Sequence, residues 1–156
     1  MIGAARPADA HQIAEIWNVI IRDSIATFTS AEKTPEDIRE AIGRQPFFVT
    51  REGHKVTGFA TYFPFRPGPG YARTMEHTIH ISQAMRGCGL GRALMAHVEA
   101  HASAAGVHSI LAGISGENSD AIAFHAALGY VETARLAQVG RKFGRWHDLV
   151  LMQKFL

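Results

Sequence analysis

Apolar residues recur along this chain in two rhythms, one near 3.6 residues and one of two. Ile13, Ile16, Trp17 and Ile20 keep helical spacing behind Arg6-Pro7-Ala8-Asp9, where Asp9 is an N-cap candidate. Thr34-Pro35-Glu36-Asp37 reads as cap, first-turn proline and acidic first turn, so it predicts a second helix ending near Gly43. Phe47 to Thr50 and Val56 to Phe63 read as paired strands turning near Glu52-Gly53-His54. Three prolines and two glycines between Pro64 and Gly70 mark a loop. A strand runs from near Thr74 through Ile81, and after a glycine-rich turn a helix spans about Gly91 to Ala105, stopped by Gly106. Ser109 to Ile114 is a buried-looking strand, and Asn118 to Leu128 is a helix capped by Gly129. Strands near Tyr130 to Val139 and Trp146 to Phe155 close the chain. Helices between strands in the second half imply parallel neighbours, hence a single α/β domain with a mixed, strongly twisted sheet.

Composition narrows the class. The chain has 156 residues, 47% hydrophobic and 19% charged, which is ordinary for one globular domain. Its formal charge of +2 comes from scattered Lys and Arg. Nucleic acid is therefore a poor partner, because phosphate binding needs a clustered basic face. The apolar runs are too short to span a bilayer, and no basic-then-apolar leader opens the chain. With one cysteine, Cys88, no internal disulfide can form, and a cytoplasmic location is expected.

The segment Arg86-Gly87-Cys88-Gly89-Leu90-Gly91-Arg92 lies between a strand and a helix. Its alternating glycines permit a tight turn and close approach of a ligand, and the following helix offers unpaired amides suited to a pyrophosphate. No Gly-Lys-Ser/Thr follows, so it is not a Walker loop, and no acidic residue stands where a dinucleotide ribose would need one. A plain tight turn with a helix cap is the structural alternative.

Arg86-x-x-Gly89-x-Gly91 resembles the pyrophosphate-binding signature of the GNAT acetyltransferases. Arg6-Pro7-Ala8 is similar to that family's opening strand, and Asn118 through Gly129-Tyr130 to its second conserved block. Three further stretches resemble the phosphinothricin and methionine sulfoximine acetyltransferase branch. They are Phe63-Pro64-Phe65-Arg66-Pro67, Glu76-His77-Thr78-Ile79-His80-Ile81, and the run from Val139 to Asp148. The resemblance implies an acetyl-CoA-dependent N-acetyltransferase acting directly on the α-amino group of an amino acid or analogue. It places the pantetheine arm on Ile79, His80 and Ile81, the pyrophosphate on Arg86 to Arg92 with Cys88 in the turn, and Asn118 against the CoA arm. It also implies a homodimer paired near the C-terminal strands, where Trp146, Leu149, Leu151 and Phe155 make the last strand apolar, an edge that would be a liability if left unpaired.

Glu76 is the expected base, since an amine must be neutral to attack; a solvated strand-end glutamate is the alternative. His125 is the expected acid for the CoA thiolate, with water or a half-buried structural histidine as alternatives. Arg66 and Arg73 can pair bidentately with carboxylates or phosphinates. Together with Phe28, Phe65, Pro67, Tyr71, His77 and Thr78 they form the expected acceptor side. His97 and His101 stand i, i+4, but Leu90, Leu94, Val98 and Ala105 set a stripe with His101 inside it and His97 at its edge. No metal is expected. Two other classes stay open: a module of this fold that senses acetyl-CoA without turnover, and a nucleotide-binding protein.

Overall fold

The computed structural model describes residues 1–156. The predicted order of elements is observed: β1 (Ile2–Ala4), α1 (Ala10–Asp23), α2 (Pro35–Arg44), β2 (Phe47–Glu52), β3 (Lys55–Pro64), β4 (Thr74–Ile81), α3 (Leu90–Ala104), β5 (Ser109–Ser115), α4 (Ser119–Ala127), β6 (Val131–Lys142) and β7 (Arg145–Phe155). The strands form one sheet in the order β1-β2-β3-β4-β5-β7-β6. Its one parallel pair is β4 with β5, joined by the crossover helix α3.

Two apolar layers cover the sheet. Ala10, Ile13 and Ala14 of α1 and Ile38 of α2 pack on Phe47, Val49, Val56 and Phe59. On the other face Leu94, Met95, Val98 and Ala102 of α3 meet Ala60, Tyr62, Ile110, Ala112, Ile114 and Val150, with α4 adding Ala121, Ile122 and Phe124. The buried stripe of α3 is thus rotated from the expected one. His97 and His101 lie on its exposed flank with their rings against Phe48, and His101 Nδ1 is 2.9 Å from the Tyr62 hydroxyl.

Local signals explain the helix starts, with one correction. Thr34 Oγ1 accepts from Asp37 N while Asp37 accepts from Thr34 N, a reciprocal capping box. Asp9 sits before α1 but does not cap it. Its carboxylate instead accepts from Arg6 N at 2.6 Å and from Arg51 Nη2 at 2.5 Å, tying the chain start to β2.

A second correction concerns the edge. β7 lies inside the sheet, between β5 and β6, so the apolar last strand is covered on both sides by ladder bonds. The edge strand at this end of the sheet is β6. It carries a bulge between Leu136 and Gly140, with Gln138 at φ +53 and its N–H bonded to Asp148 Oδ1. Phe143 and Gly144, both at positive φ, make the two-residue turn into β7.

Candidate functional site

β4 and β5 pair only from Thr74↔Ser109 to His77↔Ala112. Beyond that register each stays bound to its outer neighbour, β4 to β3 as far as Ile81 and β5 to β7 as far as Ser115. The two strands therefore part, leaving inward-facing backbone groups of Thr78–Ile81 and Gly113–Ser115 without ladder partners. A cleft of about 780 Å³ opens at this fork. Its walls come from β4, β5, the glycine turn, α4, and on the other face α1 with the segment after it.

The glycine turn forms one end. Gly87 and Gly89 hold φ +79 and +78, and Gly89 is the N-cap of α3, with no side chain to satisfy the first amides. A Cβ at either glycine would point into open space, whereas one at Gly91 would press on the Phe124 ring at 3.2 Å. Arg86, Gly87, Gly89, Leu90, Gly91 and Arg92 line the cleft; Cys88 is exposed and outside it. Asn118 lines it too, and its Oδ1 accepts from Ala121 N at 3.1 Å, so it is also the cap of α4.

Glu76 enters from the paired part of the fork. Burial raises its pKa above the ordinary carboxyl value, which suits proton acceptance from an amine. The space for its carboxylate exists because residue 113 of the facing strand is glycine; a Cβ there would lie 2.8 Å from Glu76 Oε1. The signal for Gly113 is a lone glycine inside the apolar strand Ser109–Ser115, a mark of close approach.

His77 and His125 form a stacked pair, with ring centroids 5.1 Å apart and their Nε2 atoms 3.2 Å apart. His125 Nδ1 is 2.7 Å from Ala121 O. A carbonyl oxygen only accepts, so Nδ1 carries the proton of the neutral ring. His125 Nε2 then accepts from His77 Nε2–H, and His77 Nδ1 is left bare and buried. Burial, then the neighbouring His125 and His80 charges, lowers the His77 pKa to about 3, and burial also lowers that of His125. Both rings are neutral at pH 7, and His125 has no Nε2 proton to give. The expected role of His125 as the acid would require a proton on Nε2.

The expected acceptor side is only partly assembled. Glu76, His77, Thr78 and Phe28 line the cleft, as do Ile79, His80 and Ile81. Phe65, Arg66, Pro67, Tyr71 and Arg73 do not. Arg66 lies over the Tyr71 ring at 6.0 Å. Arg73 belongs to the opposite end of the sheet: its carbonyl accepts from His108 N at 2.8 Å, and its Nη1 lies 3.9 Å from where a Gly106 Cβ would stand. Neither arginine lines the cleft at the fork. Instead Trp17, Ile20, Ala26 and Thr27 share the wall with Phe28. Trp17 and Ile20 carry the same helical spacing as core residues, so periodicity does not distinguish them. No group of three or more His, Cys, Asp or Glu side chains comes together as a metal site.

Known proteins are similar to this chain in sequence and fold. Residues 11–130 match the family model described as acetyltransferase (GNAT) family. The L-amino acid N-acyltransferase MnaT of Escherichia coli is 36% identical over 155 residues, covering 96% of this chain and 90% of that protein. The L-methionine sulfoximine/L-methionine sulfone acetyltransferase of Salmonella typhimurium is 35% identical, with 96% and 90% covered. Among solved structures, a phosphinothricin acetyltransferase from Sinorhizobium meliloti in complex with acetyl-CoA superposes with a TM-score of 0.94 at 28% identity, covering 100% of this chain and 88% of that one. The family match over most of the chain, the relatives above 30% identity and the forked sheet agree, and the chain belongs to the GNAT acetyltransferase family.

Proposed function

We propose that this protein transfers an acetyl group from acetyl-CoA to the α-amino group of an L-amino acid or an analogue of the methionine sulfoximine, methionine sulfone or phosphinothricin type. The observation that carries the proposal is the fork between β4 and β5, with the open α3 N-terminus at one end and a buried carboxylate at the other. The unpaired backbone of Thr78–Ile81 suits the amide-bearing pantetheine arm, as a strand would. The uncapped turn from Arg86 to Arg92 suits its pyrophosphate. Acetyl-CoA supplies the activated acyl group; the remaining chemistry belongs to the chain.

Glu76 accepts a proton from the acceptor ammonium, directly or through water, and so delivers a neutral amine. As the N–C bond forms and the C–S bond breaks, main-chain amides at the fork meet the charge developing on the carbonyl oxygen. The nitrogen of the new bond loses its second proton to water, and the departing thiolate takes a proton back from water, so the chain's own groups return unchanged but for the proton on Glu76, which is then released to solvent. Much of the rate comes from holding both reactants together in the cleft. A sensing module without turnover has less support, because it needs neither a buried Glu76 nor the Gly113 gap that admits its carboxylate.

A thiol-release assay with acetyl-CoA and a panel of free amino acids, their carboxamides and a short peptide tests the reading. Thiol release with methionine sulfone or sulfoximine above the others is the expected outcome. Release with the peptide alone overturns the acceptor class.

The assembly proposed is a homodimer in the cytoplasm. No helix is long and apolar enough to cross a membrane. Val131, Leu136 and Val139 of β6, with Phe143 and Trp146, expose an apolar strip on and beside the free edge. Light scattering is expected to give twice the chain mass, and a monomer at working concentrations would refute the pairing.

A further inference from the structure

The run from Val139 to Asp148 takes no part in the chemistry above, yet its polar contacts reach far back along the chain. Lys142 is a buried cation, 6% exposed, with no carboxylate partner. Its Nζ donates to Ser24 O at 2.6 Å and to Thr27 O at 2.8 Å, reaching back more than a hundred residues to the segment that follows α1. That segment carries Phe28 into the cleft wall. Gly140 lies against the Phe28 ring so closely that a Cβ would stand 2.1 Å from Cδ2. His147, the cross-strand partner of Gly140, stacks against the same ring, centroids 5.4 Å apart and 21° from parallel. His147 sits between two acceptors, with Glu117 Oε2 2.8 Å from Nδ1 and Lys142 O 3.0 Å from Nε2, while Arg145 holds Glu117 at 2.8 and 2.9 Å. Asp148 ties down the bulge that brings Gly140 forward.

We infer that Lys142, Gly140 and His147 form a latch that positions Phe28 and residues 24–27 as the acceptor-side wall. These three are positioning residues for acceptor recognition and make no contact with the acceptor. The energetic reason is the cost of burying an ammonium. Two carbonyls that point at one Nζ can do so only if the chain between Ser24 and Thr27 keeps one turn, so the cation selects that turn from the many available to an irregular segment. The ring of Phe28 then lies over a residue with no side chain and against the ring of that residue's cross-strand partner, His147. The inference rests on the acceptor reading of this side of the fork, but the geometry of the latch does not.

Lys142→Met removes the ammonium and keeps an unbranched side chain that is one atom shorter. Hydrogen exchange of peptides covering residues 24–30 is expected to accelerate, whatever the acceptor is. The KM for methionine sulfone is expected to rise about tenfold or more, from the loss of two charge-assisted bonds that order the wall, with the calorimetric Kd for acetyl-CoA within about twofold. Gly140→Ala displaces the Phe28 ring without removing a buried bond, so it is expected to raise KM in the same direction even if Lys142→Met folds poorly. In a Phe28→Ala background Lys142→Met is expected to add little. Unchanged exchange over 24–30 overturns the latch itself. Faster exchange with KM untouched in both variants, or full additivity with Phe28→Ala, overturns its role in acceptor recognition. If no amino acid is acetylated by the unmodified protein, the acceptor reading fails while the exchange result still decides the latch.

Discussion

Glu76→Gln is expected to lower kcat by about a hundredfold or more, the usual contribution of a placed general base. The acetyl-CoA Kd is expected to hold, because the carboxylate stands in the paired part of the fork, away from the glycine turn. The deficit should be largest at low pH, where little acceptor amine is already neutral, and should shrink as pH rises. The stability effect has the opposite sign. Burial raises the folded pKa of Glu76, so between the ordinary carboxyl value and the raised one the folded chain keeps a proton that the unfolded chain has released. Stability from this group therefore falls as pH rises through that window, and ionised Glu76 is a cost at neutral pH. The glutamine variant should melt no lower than the parent at pH 7, as expected where a functional group is held against its own solvation. Steady-state kinetics across pH with a thermal melt checks both halves. A kcat within a factor of about three of the parent would remove Glu76 from proton transfer, given the size expected of a base.

Gly89→Val is expected to weaken acetyl-CoA binding by about tenfold to a hundredfold, the range set by forcing a β-branched residue to φ +78 or losing the turn that needs it. Nothing lies within 4 Å of a Cβ at this position, so packing in the free protein is not disturbed. The cost falls on the backbone and on the space a pyrophosphate would occupy. Gly91→Val differs in mechanism, since its side chain meets Phe124. Calorimetric titration of the folded variants is the measurement, and unchanged affinity for Gly89→Val would place the anion elsewhere.

Much of the fold is legible in the residues because local rules decide it. The Thr34 box, the Gly106 and Gly129 stops and the alternation along β3 each act within a few residues. The glycine turn is legible for the same reason. What is not legible depends on neighbours far along the chain. Periodicity reports which face of β7 is apolar but not that β5 and β6 flank it, so an interior strand reads as an edge. Arg66 and Arg73 sit close to Glu76 in sequence, yet a loop and a strand start send them to the Tyr71 ring and the α3 terminus. His125 resembles a proton donor by position. Only the His77 ring, 48 residues away, and the Ala121 carbonyl show where its proton is held. Phe28 shows an aromatic in an irregular stretch and nothing of the lysine that holds the stretch in place.

The parting of β4 and β5 also bears on how much of this protein is folded in a cell. A sheet opened along its middle gives up ladder bonds that a ligand of strand-like backbone can restore. Such a ligand acts as a missing part of the sheet, binding the native chain and not the unfolded one. Mass action then adds about 2.7 kcal/mol at a hundred times its dissociation constant. The melting temperature of this protein should therefore track the acetyl-CoA pool, and a cell short of acetyl groups would hold less of the enzyme as well as less of its substrate.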